Sequence, residues 1–368
     1  MPEVRRVAGD SPVPNVGKIA VLRANGVGDF VFALPALDAL RKAYPSAEIV
    51  LLGLPWHESF LHGRPGPVDR VVVVPRYAGV RDEPGAVGGR KEQGSFFEQM
   101  RSERFDIVVQ MHGGGAHSNP FVRSLGGRLT VGLRDKNAPP LDLHVPYVYY
   151  QPEILRFLEV VSLIGARVHT LQPQLAVTRE DLLETWRVVP RPAQSIAVIH
   201  PGAGDTRRRW PPEKFAAVGD RLSGKGLKVV VTGDSDDKDL ADATAGSMRR
   251  EAINVAGRLS LGGLLGLLSR AEVVVSNDSG PLHLAEAGGA RTVGIYWCGN
   301  LLNAGPMTRK RHRPAISWRL NCPVCGVDCT KASCEHGQSF VADVPTEEVE
   351  GLALDLLSKR SPSSSAAA

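Results

Sequence analysis

KIAVLRANGVGDFVFALPALDALRKAYP (residues 18–45) is the stretch from which the rest of the chain is read. KIAVLRA (18–24) is a short continuous apolar run, the pattern of a strand covered on both faces. The loop NGVGD (25–29) follows. Apolar residues then recur at helical spacing from Phe30 to Ala43, and Tyr44-Pro45 stops the helix. Strand, glycine loop and helix in that order open a doubly wound βαβ unit. EIVLLG (48–53), DRVVVVP (69–75), FDIVVQM (105–111) and RLTVG (128–132) read as further strands, and a helix near 151–165 closes this half. The Gly-rich, charged stretch 76–94 reads as a long mobile loop.

VVPRPAQ (188–194) has two prolines and no periodicity, which marks a linker. The pattern then restarts with SIAVIHPGAGDTRRRWPPEKFAAVGDRL (195–222): strand, Gly-rich loop, helix. LKVVVTG (227–233), INVAG (253–257), AEVVVSN (271–277) and RTVGIYW (291–297) continue the alternation. The expected fold is α/β, with two Rossmann-like doubly wound domains, 18–187 and 195–357, facing a central cleft. A flexible leader (1–17) and a low-complexity, disordered tail (358–368) flank them. In open α/β folds, ligands lie outside the carboxyl ends of the strands.

A composition 43 % hydrophobic and 23 % charged excludes a disordered chain. A net charge of only +5 and 6 % aromatics argue against a nucleic-acid partner. No apolar run approaches the roughly 20 residues that span a bilayer. The first residues lack the apolar core of a secretory signal. Five cysteines, four of them clustered, suit a reducing compartment, so a cytoplasmic protein is expected. Between Glu286 and Asp328 there is no acidic residue, while Arg291, Arg309, Lys310, Arg311, Arg313 and Arg319 fall there. That strip reads either as a solvated loop or as a surface for a phosphorylated acceptor or anionic lipid headgroups at the inner face of a membrane.

Four constellations carry candidate chemistry. Gly26 and Gly28 precede Asp29 at the start of the first helix; Asp29 suits a helix cap and a general base, and the two roles are compatible. The third glycine of a dinucleotide fingerprint is missing, since Val31 stands there, and EIVLLG ends on Gly53 rather than an acid. A dehydrogenase is therefore disfavoured. Gly202 and Gly204 beside Arg207, Arg208 and Arg209 make an anion site, or else a solvated basic loop. In SNDSGPLHLAEA (276–287), Asp278, Ser279 and Gly280 open a helix whose N–H groups can cradle a diphosphate, with His283 in its first turn facing the same mouth. Cys322, Cys325, Cys329 and Cys334 offer a structural zinc site, or else form a compact loop of reduced thiols. No catalytic metal set accompanies them.

Taken together, LRANGVGDFVFALPALDALRKAYP, VIHPGAGDTRRRWPPEKFAAV, VVVTGDSDD and SNDSGPLHLAEAGGA resemble glycosyltransferase family 9, the ADP-heptose:lipopolysaccharide heptosyltransferases and their relatives. The CPVC cluster is also similar to one found in many members. The resemblance runs from about Lys18 to Leu357 and implies the two-domain GT-B architecture. It implies that Asp29 is the general base of an inverting, metal-independent transfer needing no cofactor. It places Arg208, two residues before Trp210-Pro211, on the donor phosphates, where the family typically has Lys. Asp278, Ser279, Gly280 and His283 are implied to hold the diphosphate and sugar of a nucleotide-diphosphate donor, ADP-heptose. The acceptor implied is a glycolipid or glycan such as the lipopolysaccharide inner core. The family's acidic ribose contact has no clear match among Asp234, Asp236 and Asp237. Two other classes share the pattern: a nucleotide-sugar epimerase of similar build and a non-catalytic nucleotide-binding module.

Overall fold

The computed structural model describes residues 11–82, 90–190 and 194–359. The chain divides into two compact units, Met1–Ala176 and Val177–Ala368. The first runs β1 (Lys18–Leu22), α1 (Val27–Ala43), β2 (Glu48–Gly53), α2 (Pro55–Leu61), β3 (Arg70–Val73), α3 (Arg90–Ser102) and β4 (Ile107–Gln110). It continues through α4 (Ser118–Ser124), β5 (Leu129–Arg134), β6 (Leu143–Pro146) and α5 (Glu153–Ser162). The second begins with α6 (Arg179–Val188), β7 (Ile196–His200), α7 (Pro212–Ser223), β8 (Lys228–Val231), α8 (Lys238–Ser247) and β9 (Ile253–Asn254). It ends with α9 (Leu261–Ser269), β10 (Ala271–Asn277), α10 (Gly280–Ala287), β11 (Thr292–Trp297), α11 (Cys298–Ala304), β12 (His312–Ser317) and α12 (Thr346–Ser358).

Each unit holds one parallel six-stranded sheet. Their orders are β3-β2-β1-β4-β5-β6 and β9-β8-β7-β10-β11-β12, the same doubly wound winding used twice. Helices cover both faces, so the central strands lose all contact with water: Ile19 to Leu22 in β1 and Val273 to Val275 in β10 are fully buried.

Five strands are legible in each half of the sequence, and the structure adds one to each. Both additions, β6 and β12, are edge strands that contain a proline, Pro146 and Pro314. Proline removes a ladder donor and is tolerated at an edge, where it also breaks the pattern that announces a strand.

The expected linker at 188–194 is not where the units part. Helix α6 packs on α9: Thr185 Oγ1 donates to the Gly263 carbonyl at 2.8 Å, and the Glu184 carboxylate accepts from Ser260 N–H and Oγ at 2.6 Å. These bonds draw α6 into the second unit, so the division falls at 176/177. Residues 191–193 of that linker lie outside the described residues.

Of the expected leader, residues 1–10 lie outside the described residues, but 11–17 are tied down. Val13 N–H donates to Tyr44 Oη at 3.0 Å, and Gly17 N–H to Asp106 Oδ2 at 2.7 Å. Of the stretch read as a mobile loop, 83–89 lie outside the described residues, and α3 begins at Arg90. Helix α12 runs to Ser358 at the start of the expected tail; residues 360–368 lie outside. Among the described residues no helix is long and apolar enough to cross a membrane.

Candidate active site

In each sheet the winding reverses beside the first strand, between β1 and β4 and between β7 and β10. Loops leaving the carboxyl ends of those strands diverge there and make room for a ligand. The expected donor and base residues fall on these loops or in the first turn of the helices that follow them.

In the first unit, Gly26 is the N-cap of α1, Gly28 its second residue and Asp29 its third. The Asp29 Oδ2 accepts the Gly26 N–H at 3.2 Å, while Oδ1 accepts from Arg23 Nη2 at 3.0 Å. Asp29 therefore caps from the third position, not from the N-cap itself, and its side chain stays 43 % exposed. Arg23 is buried, and its guanidinium is held by the carbonyls of Asp29 and Met111 and by Glu153. It lies 4.7 Å from the Phe157 ring centroid. This holds a cation under Asp29 and fixes the carboxylate's direction.

His112, which leaves the carboxyl end of β4, joins this site. The Ala24 N–H donates to its Nδ1 at 3.3 Å, so a neutral ring carries its proton on Nε2. Burial, helped by the Arg23 charge, lowers its pKa to about 4. The sequence reading missed His112; the signal available was a histidine directly after a strand and before Gly113, Gly114 and Gly115.

In the second unit, Arg208 lies on a short turn between β7 and α7. Of the three neighbouring arginines, Arg207 is paired with Asp205 at 2.6 Å and Arg209 Nε donates to the Ala203 carbonyl at 2.8 Å. Arg208 Nη1 donates to Asp278 Oδ2 at 3.3 Å. Its Nε is buried with no partner among the described residues. A buried guanidinium N–H without an acceptor is costly, and an anion is the group that satisfies it. The N-terminus of α10, with Ser279 as N-cap and Gly280 as first residue, adds first-turn N–H groups that have no acceptor within the helix, and the positive end of a helix dipole.

Asp278 itself is fully engaged. Its Oδ1 meets His283 Nε2 at 3.1 Å, and its Oδ2 accepts from Asn300 Nδ2 at 2.8 Å as well as from Arg208. Burial pushes this carboxyl up, but the His283, Arg208 and Asn300 contacts outweigh it and hold it below the usual range. His283 does not face the mouth as expected: it is 3 % exposed and stands between Asp278 and Glu286, whose Oε2 is 3.5 Å from Nδ1. Burial alone would strip its proton, yet the two carboxylates raise its pKa to about 9. A buried imidazolium thus sets Asp278, and Asp278 sets Arg208.

Asn277 fastens the two loops together, with Oδ1 accepting the Trp210 N–H at 3.0 Å and Nδ2 donating to the Pro201 carbonyl at 2.7 Å. Neither Asn277 nor Asn300 was singled out from the sequence. A Cβ on Gly202 would collide with the Asp237 carboxylate, so that glycine permits close packing; Gly204 faces open space. Asp234 and Asp236 are exposed beyond the end of β8, and Asp234 Oδ1 accepts the N–H groups of Asp236 and Asp237 at 2.9 and 3.0 Å.

The cysteine cluster differs from the expected four. Ligand atoms of Cys322, Cys325, Cys334 and His336 all lie within 4.8 Å of one another. Cys329 is left out: its N–H is bonded to the Leu320 carbonyl, and its sulfur, 3.9 Å from that of Cys334, points to the Val327 carbonyl. The basic strip is also partly neutralised by acids from elsewhere in the chain. Arg313 pairs with Asp355 at 2.8 Å, Arg291 with Glu272 at 3.8 Å and Arg319 with Asp343 at 3.9 Å.

A sequence profile of glycosyltransferase family 9 (heptosyltransferase) matches residues 93–325, more than half of the chain. A lipooligosaccharide heptosyltransferase 2 of Haemophilus ducreyi is 32 % identical over 287 residues, 73 % of this chain and 80 % of that protein. A family 9 glycosyltransferase of Veillonella parvula superposes with a TM-score of 0.77 at 20 % identity, covering 96 % of this chain and all of that one. The ADP-heptose lps heptosyltransferase II of E. coli superposes with a TM-score of 0.71 at 19 % identity, covering 93 % and 99 %. These are GT-B enzymes, and the twofold winding described above is the same architecture.

Proposed function

The chain belongs to glycosyltransferase family 9, the heptosyltransferases, and from that membership we propose an inverting transfer of heptose from ADP-heptose to a hydroxyl of the lipopolysaccharide inner core. The observation that carries the donor side is the buried, unpartnered Nε of Arg208 beside the N-terminus of α10.

Asp29 accepts the proton of the acceptor hydroxyl as its oxygen bonds to the anomeric carbon. The bond from that carbon to the diphosphate breaks on the opposite face, and the departing oxygen takes the electron pair. Arg208 and the Ser279 and Gly280 N–H groups stabilise that growing charge, the task a divalent cation performs in other phosphate chemistry. Asp278 and His283 act as positioning residues behind Arg208. The exposure of Asp29 supports its role, since a base must be reached by the acceptor. Peripheral contact with the anionic cytoplasmic face of a membrane belongs to the same proposal. It rests on Arg309, Lys310 and Arg311, with the exposed Trp318 and Leu320 following in the chain.

The test is nucleotide release by the purified protein, with ADP-, UDP- and GDP-sugars offered in turn together with heptose-deficient glycolipid and no added divalent cation. ADP-heptose is expected to be consumed only when the acceptor is present. Turnover confined to a UDP- or GDP-sugar overturns the donor assignment. An isomerised sugar formed from donor alone overturns the transfer. Asp29→Asn should lower kcat by about 10²–10⁴-fold while ADP affinity holds. Arg23 keeps Glu153 in that variant, so the fold survives. Full activity in this variant removes Asp29 as the base.

A further inference from the structure

Among the described residues, the segment 320–340 gathers three thiols and an imidazole next to a small turn closed by the antiparallel bridge between Asn321 and Asp328. Cys322-Pro323-Val324-Cys325-Gly326 forms its turn: the Gly326 N–H donates to the Cys322 carbonyl at 3.0 Å, and the Cys322 N–H to the Val327 carbonyl at 2.9 Å. Gly326 has φ +73°, a left-handed conformation that glycine adopts without strain. The Val324 N–H points at the Cys322 sulfur at 3.5 Å. A turn that aims backbone N–H groups at a sulfur favours the thiolate, the form that binds metal. Independently, His336 Nδ1 is buried with no hydrogen-bond partner among the described residues.

We propose that Cys322, Cys325, Cys334 and His336 bind one thiophilic divalent metal ion in tetrahedral coordination, and that this ion braces the turn presenting Arg208. Four ligand atoms around zinc sit about 3.8 Å apart, given Zn–S bonds near 2.3 Å. The four atoms here, all within 4.8 Å of one another, need to close by about 1 Å at most to meet that spacing. All three sulfurs bind as thiolates, so each thiol still protonated gives its proton to solvent, and the imidazole contributes a ring-nitrogen lone pair. A closed set of three sulfurs and one nitrogen leaves no position for substrate, so the ion is structural.

Its leverage lies one residue further on. The Gly337 carbonyl accepts from Thr206 Oγ1 at 2.9 Å, Ser339 Oγ donates to the Arg209 carbonyl at 2.6 Å, and the Phe340 N–H donates to the Arg207 carbonyl at 2.7 Å. Residues 337–340 therefore grip the 206–209 turn on both sides of Arg208. The metal fixes the near end of that grip at His336. The bracing part of the proposal rests on the donor reading of Arg208; the metal part does not.

The full chain, purified without chelator, is analysed for bound elements and then loaded with cobalt. The expected result is about one zinc or other first-row divalent ion per chain, with the visible bands of tetrahedral cobalt–thiolate coordination after exchange. Cys334→Ala and His336→Ala should each weaken cobalt binding at least tenfold, while Cys329→Ala leaves it unchanged. A wild-type chain that holds no metal and gives no tetrahedral spectrum overturns the site. Equal loss in Cys329→Ala overturns the ligand set. ADP affinity, measured on metal-loaded and metal-stripped wild-type protein, should fall about three- to tenfold on stripping. Unchanged ADP affinity with the metal bound and then removed rejects the brace and leaves the site standing. If neither form binds ADP, the donor reading itself fails.

Discussion

Arg208 has one nitrogen committed to Asp278 and another buried without an acceptor, an arrangement that awaits an anion. Arg208→Ala should raise the Kd for ADP about 10–100-fold, the worth of a charge-assisted contact. Titration calorimetry reads this directly, and the fold should persist because Asp278 keeps Asn300 and His283. His283 makes a second, pH-dependent prediction. Its pKa is about 9 when folded and near 6.5 when unfolded, so its stabilisation is complete below about pH 6.5. It is lost as pH rises through 9. Thermal melting from pH 6 to 10 should show that decline, and His283→Gln should remove it; parallel profiles for the two proteins would refute the assignment. At this scale the sequence was most legible in placement: Asp29 opens the first helix and Arg208 lies on the loop after the first strand of the second sheet, as the strand–loop–helix pattern implies. Asn300 and His336 were not legible, because their partners are brought to them by the fold: Asn300 reaches Asp278 across 22 residues of chain. The orientation of His283 was not legible, because burial between two carboxylates decides it.

Among the elements, the strand–loop junctions after β7 and β10 carry the tightest constraint. Gly202→Ala drives a methyl group into the Asp237 carboxylate and should cost about 1–3 kcal/mol. Gly204→Ala, with open space around it, should leave the melting temperature unchanged. Calorimetric scans of the pair check this; equal effects would mean the junction relaxes freely. Ten of the twelve strands among the described residues were readable from their apolar runs. The two that were not, β6 and β12, occupy matching edges, where pairing on one side alone supports a strand whose composition does not announce it. Helix α6 was readable as a helix but not by allegiance, since Thr185 and Glu184 find their partners on α9.

For the molecule as a whole, the two sheets are separate constructions. Residues 1–176 expressed alone should melt cooperatively, and extension to residue 190 should add no stability, because α6 then lacks α9. A fragment without a cooperative transition would show that the first unit depends on the second. The modest net charge, read from the sequence as a basic strip, turns out to be partly paired across the fold with Glu272, Asp343 and Asp355.

Identical winding creates a hazard for a growing chain, since both sheets are parallel throughout and share one strand order. The first sheet uses residues 18–146 and the second 196–317. At a ribosomal rate of roughly 10 residues per second, about 5 s pass between the end of β6 and the start of β7. That interval is long against the microsecond-to-second folding times of small domains. The first sheet can therefore close before its twin begins to emerge, and the order of synthesis protects the chain from pairing with its own copy.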